Sequence, residues 1–299
     1  MAGRAVNLEA GVTSILGTPV SAKQTDQDSS DPKFQATREP IETMVEDVPS
    51  RLRSREPVAG CWLSIGHPAS AELLAGIGFD FAVLDGEHTE MTLEALGAVL
   101  RAVEAAGTDT VPIVRVASND PIEVKRVLDL GPAGVMVPAV ETAAEAERAV
   151  DACTYRPHGR RGVAGYRAAD YGANLQSYVE SASEEILTIV QVESAAGVEN
   201  VADIAAVDGV DALFIGPADL SASLDAFGEY DAEPVRSAVD RIVSAANAAD
   251  CPVGTLATSR GEVATRDEWG VDFLAMGPDL AFLAESASGY LAEYRDRHE

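Results

Sequence analysis

Eight short apolar runs, separated by stretches of helical periodicity, constrain the fold of this chain more than any other feature. The runs are Gly60–Ile65, Phe81–Leu84, Pro112–Val116, Gly134–Val137, Leu187–Val192, Ala212–Ile215, Pro252–Leu256 and Phe273–Met276. Each has the length of a strand rather than a helix. Between them, Leu93, Leu96, Leu100 and Val103 recur three or four residues apart, as one face of a helix does. Asp120 and Pro121 open another helical stretch over Ile122–Leu130, an N-cap followed by proline at the first helical position. Others fall near Ala143–Ala152, Gly197–Ala206, Pro234–Ala249, Arg260–Glu268 and Asp279–Tyr294. Strand–helix alternation predicts an α/β fold with a parallel sheet, and eight units predict a closed (β/α)8 TIM barrel. An open doubly wound sheet is the alternative, but no GxGxxG follows the first run.

An internal repeat supports closure. GFDFAVLDG (78–86), GVDALFIGP (209–217) and GVDFLAMGP (270–278) share one frame. Glycine ends a helix, aspartate stands two positions on, and a strand follows; glycine suits the left-handed helix cap. Residues 1–45 lack such periodicity. KQTDQDSSDPKFQATREP within them is polar and predicts a flexible N-terminal arm ahead of a single barrel domain over 46–299. The mildly apolar patch Gly11–Val20 is broken by Thr, Ser, Gly and Pro, which is not the pattern of a signal peptide. No apolar run reaches the roughly 18 residues of a membrane span. The expectation is a soluble, cytoplasmic protein.

Charge narrows the partners. There are 22 Lys and Arg against 49 Asp and Glu, a net charge of −27. That field repels nucleic acid and anionic lipid, so small molecules are the expected ligands. Lysine is scarce, with only Lys23, Lys33 and Lys125. An acid-rich, lysine-poor chain with an intact apolar fraction resembles proteins from salt-loving organisms, where screening makes such charge tolerable. Cys61, Cys153 and Cys251 are widely spaced without a CxxC, which argues against a disulfide framework or a zinc site.

Active sites of such barrels sit at the carboxyl ends of the strands. There the sequence places Asp85, Glu87 and His88 after the second run, Arg115 at the end of the third, Gln191 and Glu193 at the fifth and Asp219 after the sixth. Glu193 and Asp219 could supply two oxygen ligands to a hard divalent cation; either acid alone reads as a solvated strand-end residue. The turn Gly216-Pro217-Ala218 opens a helix and would aim backbone N–H groups at an anion. Arg115 could neutralise an enolate or form a structural ion pair with a neighbouring acid. His88 alone among four histidines lies among these strand-end acids, and an imidazole suits general-base work. His67-Pro68 reads as a turn, and His158 and His298 have no such context. A Schiff-base aldolase would need a lysine at a strand end, yet Lys125, the only lysine past residue 33, sits mid-helix. Carbonyl chemistry here calls for a metal instead of an imine.

With these residues in place, the segments GCWLSIGHP, FAVLDGEHTEMTLE, PIVRVASNDPIEVKRVLDLGPAGVMVP, YRPHGRRGV, VQVESAAGVENVADIAAVDGVDALFIGPADLSASL and FLAMGPDL resemble the HpcH/HpaI aldolase family over about residues 48–285. The family comprises metal-dependent class II pyruvate aldolases, including 2-dehydro-3-deoxyglucarate and 4-hydroxy-2-oxoheptanedioate aldolases. The resemblance implies a TIM barrel that reversibly cleaves a 4-hydroxy-2-oxo acid to pyruvate and an aldehyde. It implies Mg²⁺, Mn²⁺ or Co²⁺ on Glu193 and Asp219. Gln191, Gly216 and Ala218 would bind substrate, Arg115 would stabilise the enolate and His88 would act as base. Asp85 and Glu87 would support them. It also implies that Asp129 pairs with the histidine, although Asp129 reads as the carboxyl end of a helix on the far side of a single barrel; a neighbouring subunit would supply it. A hexamer with an exchanged last helix is implied as well. Where family members often read ARASRYG, this chain has YRAADYG (166–172), with Asp170 in place of a basic residue. Two other readings stand beside this one. One is a CoA-ester lyase of the citrate lyase β type, which would need a basic surface for the CoA phosphates; the other is a catalytically silent binding protein on the same barrel.

Overall fold

The computed structural model describes residues 47–298 of the chain. The expected arm, 1–45, lies outside the described residues. The described part opens with α1 (Val48–Arg53), β1 (Val58–Leu63), α2 (Pro68–Ala75), β2 (Phe81–Asp85), α3 (Leu93–Ala105), β3 (Val111–Arg115), α4 (Pro121–Leu128) and β4 (Gly134–Val137). It continues through α5 (Ala143–Cys153), a 3-10 segment (Arg167–Gly172), α6 (Leu175–Glu185), β5 (Leu187–Val192), α7 (Ala195–Glu199), α8 (Val201–Ala205), β6 (Ala212–Ile215) and α9 (Pro217–Ser223). It ends with α10 (Glu233–Ala248), β7 (Val253–Ala257), α11 (Arg260–Asp267), β8 (Phe273–Met276) and α12 (Asp279–Asp296). The eight strands pair in chain order, all parallel, and β8 closes on β1. This is the (β/α)8 barrel that the alternation predicted.

Boundaries shift where the apolar pattern says little. The first strand is Val58–Leu63 instead of Gly60–Ile65, and β7 begins at Val253 instead of Pro252. The single helix expected over 197–206 is two, because Asn200 caps one and opens the next. Helices α1, α2 and α6 were not expected; α1 is short, and α2 carries little helical apolar periodicity. Asp120 does cap α4, accepting from the N–H of Ile122 at 2.7 Å, with Pro121 at its first position.

Apolar side chains form two cores. One fills the barrel with Val58, Trp62, Phe81, Val83, Ile113, Met136, Leu187, Ile189, Phe214 and Phe273. The other lies between the strands and the surrounding helices. Inside the barrel, ring volume is accommodated by missing side chains: a Cβ on Gly60 would fall 2.1 Å from the Phe81 ring.

The repeated Gly-x-Asp frame has a structural use. Gly78, Gly209 and Gly270 all take positive φ, but they stand past the helix C-caps Gly76, Ala206 and Glu268, in the turns that lead into the strands. The aspartates two positions on do more. Asp80, Asp211 and Asp272 each accept a backbone N–H from the start of the adjacent strand, at Ala59, Thr188 and Val253. Each also receives one arginine of the α1 segment. Arg51 reaches Asp80 at 2.6 Å, Arg53 reaches Asp211 at 2.7 Å and Arg55 reaches Asp272 at 2.9 Å. Val48 and Leu52 of α1 bury themselves in the interior core. Helix α1 thus plugs the amino end of the barrel and is tied to it at three points.

Candidate active site

Strand alternation decides which residues reach the barrel interior. Phe81, Val83 and Asp85 share one face of β2; Ile113 and Arg115 share one face of β3; Leu187, Ile189 and Gln191 share one face of β5, and Glu193 continues that series. The apolar members lie in the interior core. Asp85, Arg115, Gln191 and Glu193 therefore form the polar layer above it, at the carboxyl ends. The register sets Asp85 directly beside Arg115.

Arg115 is gripped on three sides. Its Nε and Nη2 donate to the two carboxylate oxygens of Asp85 at 2.9 and 2.8 Å. Nη1 lies 2.9 Å from Glu87 Oε2. The guanidinium carbon stands 4.7 Å from the centre of the Trp62 ring. Asp85 Oδ1 also accepts from the N–H groups of Glu87 and His88 at 3.0 and 3.3 Å. Burial pushes the Asp85 carboxyl up, but Arg115 and those two N–H groups outweigh it and hold the group below its usual range. Glu87 goes the other way: burial raises it in spite of Arg115 and His88. His88 is exposed, with Nε2 3.8 Å from Glu87 Oε2.

Across the mouth, Glu193 is nearly buried. Its Oε1 accepts from the Ala139 N–H at 2.8 Å. Ala139 holds φ at 52°, a conformation uncommon for alanine, to present that donor. The other oxygen, Oε2, lies against Gly216, where a Cβ would come within 2.2 Å of it. Glu193 Oε2, Glu87 Oε2 and Gln191 Oε1 are all buried without a hydrogen-bond partner. Burial above all, with the charges of Asp219 and Glu87 added, pushes the Glu193 carboxyl up to about 7. Asp219 stands in the first turn of α9, whose N-cap is Gly216.

This arrangement fits a divalent cation. A buried carboxylate oxygen with no donor, beside two further carboxylates, is costly unless a positive charge joins it. Among the described residues no group of three or more His, Cys, Asp and Glu forms a closed metal cage. Two protein carboxylates would leave coordination positions open for waters and a chelating ligand.

The structure brings together Asp85, Glu87, His88, Arg115, Gln191, Glu193, Gly216, Ala218 and Asp219. It does not bring Asp129 to them. Asp129 is the C-cap of α4, leading into the amino end of β4, and its carboxylate lies 3.5 Å from Arg161. Burial raises its carboxyl in spite of Arg161. Among the described residues no ion pair joins Asp129 to His88. His67 caps α2 through Nδ1, as its turn context implied. Sequence reasoning missed Trp62 and Ala139. The parity of Trp62 with Gly60 on the first strand would have marked it as inward; nothing in the sequence marks Ala139. Volume would have pointed elsewhere, since a cavity of about 800 Å³ opens among Val111, Pro112 and Ala133 near the amino ends of β3 and β4.

A sequence profile of the HpcH/HpaI aldolase/citrate lyase family matches residues 58–286. A hydroxypyruvate/pyruvate aldolase of Delftia acidovorans is 41% identical over 246 residues, covering 82% of this chain and 90% of its own length. A 5-keto-4-deoxy-D-glucarate aldolase of Escherichia coli is 38% identical over 242 residues, covering 81% of this chain and 93% of its own. Among solved structures, an HpcH/HpaI aldolase/citrate lyase family protein from Burkholderia cenocepacia superposes with a TM-score of 0.80 at 38% identity, covering 83% of this chain and 98% of that one.

Proposed function

The chain belongs to the HpcH/HpaI aldolase/citrate lyase family, and from that premise we propose that it is a divalent-metal-dependent pyruvate aldolase whose centre is Glu193 and Asp219. It is a carbon–carbon lyase of the aldolase type, acting on 4-hydroxy-2-oxo acids to give pyruvate and an aldehyde. The observation that carries the metal reading is the buried, unpartnered Glu193 Oε2 set against Gly216 and the charges of Asp219 and Glu87.

A cation on these two carboxylates, Mg²⁺, Mn²⁺ or Co²⁺, would supply Lewis-acid polarisation of the 2-oxo group. The remaining work falls to the protein. The Ala218 N–H, in the first turn of α9, would receive the substrate carboxylate. Gln191 would hydrogen-bond the substrate through a carboxamide whose Oε1 has no protein partner. His88, exposed at the mouth, would take the proton of the C4 hydroxyl as the C3–C4 bond breaks. Arg115, fixed by Asp85 and Glu87, would meet the negative charge that develops on the enolate oxygen of pyruvate. The aldehyde would leave first, the proton taken by His88 would return to C3 of the enolate, and pyruvate would follow.

Two features favour assembly with copies of the same chain. Helix α12 leaves Leu280, Leu283, Tyr290, Leu291 and Tyr294 exposed. Asp129 also stands apart from the site that the family resemblance places it in, so a second copy would have to deliver it. Among the described residues no helix is long and apolar enough to cross a membrane.

The test is pyruvate release from a panel of 4-hydroxy-2-oxo acids, coupled to NADH oxidation by lactate dehydrogenase. Activity should vanish after EDTA treatment and return with Mg²⁺, Mn²⁺ or Co²⁺. Release that survives EDTA overturns the metal reading, and no release from any member overturns the aldolase reading.

A further inference from the structure

We infer that Trp62 is a positioning residue for this reaction: its ring is the platform that fixes the tilt of the Arg115 guanidinium. The inference rests on the aldolase reading above.

Asp85 holds Arg115 along one edge through two hydrogen bonds, and Glu87 Oε2 lies 2.9 Å from Nη1. A planar group held only at its edges can still rock out of plane about those bonds. Trp62 meets it through the ring face, with the guanidinium carbon 4.7 Å from the ring centre.

The platform is itself buried and packed. Trp62 is 4% exposed and sits within β1, hydrogen-bonded into the sheet between β2 and β8. Its ring packs on Phe214 from β6, with centroids 5.9 Å apart and planes at 34°. Phe214 in turn packs on Phe273 from β8 at 6.0 Å. A stack of rings anchored on three strands therefore runs up the barrel and ends under Arg115.

The chemistry also explains why the support is aromatic. Two carboxylates already lie against the single charge of Arg115, and Glu193 and Asp219 stand nearby. A third acid beneath the guanidinium would add repulsion to a site that must hold an anionic substrate. An aliphatic side chain would fill space without attracting the cation. A tryptophan face attracts it with no net charge.

The experiment separates positioning from packing and from contact with the aldehyde. Enolisation of pyruvate needs no aldehyde, so exchange of the pyruvate methyl protons with D2O is followed by NMR in the metal-loaded enzyme, alongside aldol cleavage. Trp62→Leu should lower kcat for both reactions about 10- to 30-fold, the loss expected when a desolvated cation–π contact is removed. KM for pyruvate should change less than kcat. Trp62→Phe, which keeps an aromatic face, should recover much of the exchange rate and serves as the test if the leucine variant does not fold. In an Arg115→Lys background, which has no planar group to orient, Trp62→Leu should have little further effect. Unchanged exchange in folded Trp62→Leu, a loss confined to aldehyde turnover, or full multiplication of the two defects overturns the inference. If only Trp62→Phe folds, exchange as low as the Arg115→Lys level overturns it too. Failure of the wild-type enzyme to exchange pyruvate or cleave any 4-hydroxy-2-oxo acid strikes the aldolase reading instead.

Discussion

Asp211→Ala tests whether the three arginines of the α1 segment tie the barrel shut. Asp211 Oδ1 receives Arg53 Nε at 2.7 Å, and Oδ2 receives the Thr188 N–H at 2.7 Å. Thr188 is buried, so alanine at 211 leaves its N–H without an acceptor, at a cost of about 1–3 kcal/mol. Loss of the charge-assisted bond to Arg53 adds about 1 kcal/mol, discounted because Arg53 is about a third exposed and also donates to the carbonyls of Glu184 and Ile186. The expected total is about 2–4 kcal/mol. For a barrel of this size that lowers the unfolding midpoint by roughly 5–15 °C. Asp211→Asn keeps an acceptor for Thr188 and should cost only about 1 kcal/mol. Unfolding is followed by circular dichroism against temperature and urea at fixed salt. The pH dependence supplies a sharper check. Burial raises the Asp211 carboxyl above its ordinary 3.8, outweighing Arg53 and the Thr188 N–H. The folded state then binds a proton more readily than the unfolded chain. As pH falls from the raised folded value toward 3.8, wild type should gain stability relative to Asp211→Asn. A simple surface ion pair would lose stability on acidification. Equal stability of the alanine and asparagine variants, or a gap that closes in acid, refutes the reasoning.

Three further outcomes are expected. Arg115→Lys keeps a charge beside Asp85 and should fold, but it loses the planar fork and should lower kcat for cleavage by about 100-fold or more, measured at saturating substrate. Gly216→Ala places a Cβ 2.2 Å from Glu193 Oε2, so the carboxylate must move; Mn²⁺ affinity by titration calorimetry should fall at least about tenfold with the fold retained. Because a net charge of −27 repels itself, the unfolding midpoint should rise as KCl is raised from millimolar to molar, and a flat or falling midpoint would remove the salt-adapted reading of the composition.

Much of the site was legible because strands announce themselves locally. A run such as FAVLD shows its length, its ending and its alternation, and barrel chemistry sits at such endings. Asp85, Glu87, His88, Arg115, Glu193 and Asp219 are marked as candidates that way. Trp62 is not, because a tryptophan in an apolar run carries no polar signal and its partner, Arg115, lies two strands away. Ala139 was hidden for a different reason: it acts through its backbone N–H, which no residue type reveals. For Arg115 the structure shows the ion pair with Asp85 that the sequence leaves as one alternative, and in the proposed reaction that same carboxylate would aim the guanidinium.

By itself the sequence determined the eight alternating units, the acidic composition, the turn glycines Gly78, Gly209 and Gly270, and the family. These rest on periodicity, composition and motifs confined to neighbouring residues. Closure of the barrel decided the rest. It set Asp85 beside Arg115, brought the charge of Asp219 to Glu193, and gave the aspartate of the Gly-x-Asp repeat its use by delivering Arg53 to Asp211, 158 positions along the chain. Such contacts join segments far apart in the chain. Their geometry depends on the strand register and on which strand closes the ring, and neither is written in any single stretch of residues.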